Sequence, residues 1–350
     1  MKKHIITYFS LAVVLGFFQA CNLPTTDTFE RFQFLTDNAK LVVTVDGNID
    51  SDVFMLLLHG GPGGGVHVYN EGTYSVELEK EMAMVYLDTR GHGGSTGQYD
   101  RESLTLDQVG EDIYQVARML KAKFGEDIQL FLMGHSWGGT TGTNALINTD
   151  IQDLLEGWIE VSGAHDIPLL NATAIDMFKE IGQEELDADR NPDFWEEVLE
   201  FVEPLDRNNV NYDDEGQLNA YGHQAEGRIE AVNYAEEEPS TLAYWTIQNP
   251  SYSFTSAISN LMTGAILNEE TSTAAYTNRL NEITIPTLLL WGKYDFVVPP
   301  ALGFSAYEEI STPSEDKYLT ILENSGHTCM VNEPELFVEE VLNFVRKYAN

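Results

Sequence analysis

Six short stretches of unbroken apolar sequence, separated by amphipathic patterns, most constrain how this chain can fold. They are VFMLLL (53–58), MVYLD (84–88), IQLFLM (128–133), GWIEVS (157–162), TLLLW (287–291) and YLTIL (318–322). A run with no polar alternation suits a strand covered on both faces, as in a parallel sheet held between two layers of helices. The intervening segments supply such helices. Residues 106–124 put Val109, Ile113, Val116, Ala117 and Leu120 on one stripe, and residues 333–348 do so with Leu336, Val338, Val341, Phe344 and Val345. The alternation predicts an α/β fold: a mostly parallel central sheet with helices on both faces. Ahead of it, FERFQFLTD and LVVTVDG alternate around a turn-like Asn38 and predict an antiparallel pair at the sheet edge.

The alternation stops between residues 167 and 281. There DFWEEVLEFVE, GQLNAYGHQAEGRIEAVNYAEEE and FTSAISNLMTGAIL read as helical, and the region is rich in Asp and Glu with few basic residues. It is expected to form a helical cap, 167–281, inserted into a core made of 30–166 and 282–350. Apolar residues are 43% of the chain and aromatics 11%, enough to bury a large core despite the charge. Fifty-six acidic against nineteen basic residues give a formal charge of −37. Such a surface repels phosphate backbones, so nucleic acid is excluded as an expected partner.

Lys2 and Lys3 precede an apolar stretch from Ile5 to Phe18, followed by Ala20 and Cys21. This reads as an export signal over 1–21, too short for a comfortable membrane span. A cysteine at the cleavage point resembles a bacterial lipoprotein signal, which implies that Cys21 is lipidated and anchors the chain at the cell envelope. Residues 22–29 then read as a polar tether. Cys329 is the only other cysteine, so with Cys21 lipidated no intramolecular disulfide is expected.

The chemistry-bearing signal is FLMGHSWGGT, where Gly134-His135-Ser136-Trp137-Gly138 matches G-x-S-x-G between a buried strand and a helix. Small residues around Ser136 let the chain turn sharply and lift the hydroxyl above the strand end. A serine hydroxyl needs a base, and the base needs a partner to hold its tautomer. Asp295 follows the strand at 287–291, and His327 follows the strand at 318–322. Loops after parallel strands open at one edge of the sheet, so Ser136, Asp295 and His327 can converge in the chain order of α/β-hydrolases. His59, His92, His135 and His165 are competing histidines, read as loop-stabilising. The glycine loop HGGPGGG (59–65) lacks the lysine and Ser/Thr of a phosphate-binding loop. It suits an oxyanion hole instead, with the backbone N–H of Gly61 paired with that of Trp137.

Taken together, HGGPG at 59–63, LDTRGHGGS at 87–95, GHSWGG and GKYDFVVP resemble the proline iminopeptidase family, serine aminopeptidases of the α/β-hydrolase fold. In LDTRGHGGS, Thr89 replaces the glutamine usual in that family, and Asp88 and Arg90 are expected to brace the loop. The family holds the substrate's α-ammonium with two cap glutamates. The resemblance carries this role to Glu230 in GRIE and, more loosely, to Glu196 beside Trp195. It implies a serine hydrolase working through an acyl-enzyme, with no metal or organic cofactor, that releases N-terminal residues, proline among the candidates, from short peptides. Two alternatives stay open: a carboxylesterase or other small-molecule acyl hydrolase on the same triad, and a non-catalytic binding protein on the same scaffold.

Overall fold

The protein is described by a computed structural model covering residues 30–36, 39–70, 72–96, 99–233 and 254–349. The expected signal 1–21 with Cys21, the tether 22–29 and the turn at Asn38 lie outside the described residues.

The apolar runs all become strands. β1 (Glu30–Leu35) and β2 (Lys40–Gly47) form the antiparallel edge pair; β3 (Val53–Leu58), β4 (Ala83–Asp88), β5 (Gln129–His135), β6 (Gly157–Val161), β7 (Thr287–Gly292) and β8 (Lys317–Leu322) follow. The spatial order is β1-β2-β4-β3-β5-β6-β7-β8. β2 meets β4 antiparallel, and every pairing from β4 through β8 is parallel. Alternate side chains go to opposite faces, which sorts the core into two layers. Phe54, Leu56, Leu58, Leu130, Leu132, Leu289 and Trp291 pack with Val109, Ile113 and Val116 of α2 (Leu106–Phe124). Trp137 of α3 (Trp137–Asn148) and Leu302 of α8 (Pro300–Glu309) belong to the same layer. Met55, Leu57, Met84, Phe131, Met133, Ile159 and Leu288 face the other way, onto α1 (Thr73–Glu81) and α9 (Pro334–Tyr348).

Two expectations are corrected. β8 is only partly buried along most of its length, because it is the last strand and has one neighbour, so its apolar run is not covered on both faces. On α9 the inward position is Phe337, with Val341, Phe344 and Val345; Leu336 and Val338 are half-buried flanks.

Between β6 and β7 the chain forms α4 (Ile167–Asp187), α5 (Pro192–Val202), α6 (Tyr212–Glu226) and α7 (Phe254–Thr271). Local chemistry starts these helices where they start: Asp166 caps α4 by accepting from the Leu169 N–H, and Asn211 caps α6 by accepting from Asp213 and Asp214. α6 ends at Glu226, so the GRIE segment is a turn, not the helix its composition suggested. α4, α5 and α6 have a core of their own, built from Ile175, Phe178, Trp195, Val198, Val202, Leu218 and Ala225, while Leu267 of α7 joins the sheet core. Phe296 of the β7–α8 loop belongs to that core too, and so ties the helices to the sheet edge.

Candidate active site

Ser136 sits between β5 and α3 with φ 56° and ψ −118°, a conformation that L-residues rarely adopt. The surroundings hold it there. Its N–H donates to the Val161 carbonyl, and its own carbonyl accepts from Gly139 and Ala164. A Cβ at Gly138 would lie 2.3 Å from the Leu58 carbonyl oxygen, and one at Gly134 2.3 Å from that of Gly138. The small residues of G-x-S-x-G are therefore steric necessities of this turn.

Asp295 and His327 meet as the chain order predicts. His327 Nδ1 donates to Asp295 Oδ2 at 3.0 Å, and both side chains are buried. The other carboxylate oxygen, Oδ1, accepts from the Val297 and Val298 N–H groups at 3.0 and 2.7 Å. Asp295 is thus fixed by its own loop before it fixes the imidazole. Burial opposes a charge on His327, but the Asp295 carboxylate beside it, together with Glu226, more than offsets this and raises its pKa above the ordinary 6.5. Ser136 and His327 line one cavity of about 670 Å³, with the glycine loop 60–65, Tyr69, His135 and Trp137. α4, α6 and α7 contribute the opposite wall, including Asn171, Glu215, Asn219, His223 and Thr271.

The glycine loop is held by a directional chain of hydrogen bonds. The Gly60 N–H donates to Tyr69 Oη at 2.7 Å, and Tyr69 Oη lies 2.7 Å from His135 Nδ1. His135 Nε2 is 3.0 Å from the His327 carbonyl, which can only accept. His135 therefore carries its proton on Nε2, and Tyr69 donates to Nδ1. Burial and the neighbouring His327 push the His135 pKa down to about 3, so it stays neutral and adds no charge beside His327. Tyr69 and His135 link the glycine loop, the serine turn and the histidine loop.

The second glycine loop, 87–95, braces the first. His92 Nε2 accepts from the Gly63 N–H at 2.9 Å, and Asn260 of α7 takes the Gly93 N–H while donating to the Gly64 carbonyl. Asp88 accepts from Gly94 and Val66, and Arg90 pairs through two 2.7 Å bonds with Asp112, both buried. Asp88 and Arg90 thus brace the loop, as expected. His59 contacts Thr89, and His165 is buried against Glu160 at 2.8 Å; neither lines the cavity.

Gly61 and Trp137 both border the cavity next to Ser136. Gly61 has φ 140°, which only glycine adopts without strain, and the Gly60 N–H is already engaged by Tyr69. Trp137 opens α3, where backbone N–H groups have no intrahelical acceptor. Its indole donates to Thr271 of α7 at 3.0 Å.

Glu196 and Glu230 stand elsewhere. Both are exposed and neither lines the cavity. Trp195 and Ile229 take the inward positions of their segments, so the adjacent residue in each case turns to solvent. The carboxylate that does line the cavity is Glu215, half-buried and 3.4 Å from Asn171 Nδ2. Sequence reading had no means of choosing it from Asp213 and Asp214 beside it, because three acids in a first turn read as ordinary helix-dipole partners. Tyr69, Asn260 and Asn171 likewise belong to no motif.

Known proteins agree with this architecture. The chain is 24% identical over 323 residues to a Bacillus subtilis (strain 168) protein named as a probable aminopeptidase, covering 89% of this chain and 94% of that one. It is 27% identical over 300 residues to a proline iminopeptidase of Saccharolobus solfataricus, covering 83% and 84%. Among solved structures, an esterase from Exiguobacterium antarcticum superposes with a TM-score of 0.56 at 20% identity, covering 92% of this chain and all of that one. Residues 53–334 match the family described as alpha/beta hydrolase fold, and with its sheet order and serine turn the chain belongs to that family.

Proposed function

We propose that the protein is a serine hydrolase that works through an acyl-enzyme and releases N-terminal residues, proline among the candidates, from short peptides. His327 takes the proton of Ser136 as the hydroxyl attacks the scissile carbonyl, and Asp295 steadies the imidazolium that forms. The N–H groups of Gly61 and Trp137 receive the oxyanion. His327 then returns the proton to the leaving amine, and water repeats the sequence on the acyl-enzyme.

The observation that carries the peptidase reading is Glu215. Among the described residues lining the cavity it is the one carboxylate. Burial raises its pKa, partly offset by the hydrogen bond from Asn171, and a bound ammonium would relieve that strain. We assign to Glu215 the amine contact that the family resemblance gave to Glu196 and Glu230. Relatives named as aminopeptidases and proline iminopeptidases support the same class of substrate. The second reading, a carboxylesterase working through the same three residues, is kept because a protein named as an esterase shares the fold, and one fold carries many activities.

Steady-state rates on proline and alanine arylamides and on short neutral acyl esters separate the two. Glu215→Gln should lower kcat/KM on the arylamides at least ~30-fold, as expected when one partner of a buried charge pair is removed. Ester rates should change little. Ester cleavage without arylamide cleavage, or an equal loss on both, would sink the peptidase reading.

A further inference from the structure

Glu226 is the last residue of α6 and is 5% exposed, yet its Oε1 makes no hydrogen bond. A buried carboxyl with an unpartnered oxygen needs an explanation. Its position offers one. One turn earlier on the same helix, Gly222 lets α6 lie against the loop of Asp295, since a Cβ there would be 2.8 Å from the Phe296 carbonyl oxygen. On the other side, a Cβ at Gly326 would be 2.5 Å from Glu226 Oε2, so the carboxyl rests on the backbone just before His327. The N–H groups of Phe296 and His327 are turned toward it and favour its charge, without closing a bond on Oε1. The chain after α6 is stitched to the same loop: the Asn233 N–H donates to the Asn324 carbonyl at 2.9 Å, and Asn332 Nδ2 to the Asn233 carbonyl at 2.8 Å.

We propose that Glu226 is a positioning residue for His327, a second carboxyl delivered by α6 to the loops of the catalytic pair, whose own protonation state sets the basicity of the imidazole. It touches no reacting atom and acts through His327. The inference rests on the serine-hydrolase reading for its meaning in catalysis, but not for the coupling itself.

The surroundings set the direction of the effect. The titratable groups facing Glu226 are Asp295 and His327. Burial and then the Asp295 carboxylate push the Glu226 pKa up to about 8, with His327 and the two backbone N–H groups pulling the other way. The negative end of α6 acts in the same sense as burial. His327 in turn faces Asp295, Glu226, His135 and His223. Burial, together with His327, lowers the His223 pKa, and His135 is neutral, so neither supplies a compensating cation. Below about pH 8 Glu226 therefore holds its proton, and above it the ionised carboxylate favours the imidazolium of His327. Such interacting groups titrate in shared macroscopic steps.

The test is an NMR titration of full-length protein labelled at histidine Cε1, with the His327 signal identified by its loss in His327→Gln. The wild-type signal should show two inflections, one of them near pH 8. In Glu226→Gln the alkaline inflection should vanish, leaving a single step at the position of the acidic inflection of wild type, because glutamine mimics the protonated carboxyl present below about pH 8. The rate of Ser136 labelling by a fluorophosphonate should follow the same curves. A His327 titration that is identical in wild type and E226Q would overturn the proposal, leaving Glu226 a packing residue. Should E226Q fail to fold, Glu226→Asp decides: an alkaline inflection kept at a displaced pH supports the coupling, and a single inflection refutes it. Absence of Ser136 labelling at every pH would defeat the hydrolase reading, while the NMR titration would still decide whether Glu226 and His327 are coupled.

Discussion

Asp295 has its two oxygens assigned to different tasks, and this makes its substitution informative. Oδ1 is committed to the Val297 and Val298 N–H groups, and Oδ2 receives the proton of His327 Nδ1. In Asp295→Asn the amide oxygen would keep the two backbone donors, which turns the NH₂ toward His327. The imidazole must then carry its proton on Nε2, where it cannot accept one from Ser136. We expect kcat to fall about 10⁴-fold with an unchanged circular dichroism spectrum. Activity within about tenfold of wild type would contradict that geometry. The raised pKa of His327 adds a sign: only the neutral imidazole is a base, so wild-type kcat/KM should decline with falling pH from a midpoint above 6.5. At this scale the convergence of Ser136, Asp295 and His327 was legible because each sits in a loop after a parallel strand. The cap carboxylates were not, since which face of a helix looks into a cavity depends on how the helix is docked.

Among elements, the joint between α2 and the second glycine loop is made by a buried ion pair between Arg90 and Asp112. The Arg90 guanidinium, wholly buried, also donates to the Ser103 carbonyl at 3.1 Å, so its position is determined on every side. Asp112→Ala would remove the carboxylate that balances that buried cation. Breaking such a pair is destabilising by about 3–5 kcal/mol, which a shift of the urea midpoint at unchanged m-value would record. A loss below about 1 kcal/mol would show that the pair contributes little. The loop LDTRGHGGS announced its brace through Asp88 and Arg90. Asp112 did not stand out, because on the α2 stripe it is one acid among several until tertiary contact buries it.

For the whole molecule, the formal charge of −37 is the dominant long-range term. Self-repulsion of this size weakens the compact state and is screened by salt. The melting temperature should therefore rise as sodium chloride goes from about 0.01 to 0.5 M, whereas a flat or falling trend would mean that the surface ion pairs, such as Lys293 with Glu323, outweigh the repulsion. The layered architecture was legible from the sequence because periodicity is local: unbroken apolar runs become parallel strands, buried except at the β8 edge, and the serine turn reports its own sterics through Gly134 and Gly138. Strand order, the docking of α6 against the loops of Asp295 and His327, and the placement of Glu215 and Glu226 within a strongly acidic region needed the tertiary structure. Charge and helix period are properties of a segment, while burial beside Ser136 or His327 is a property of what the rest of the chain places against it.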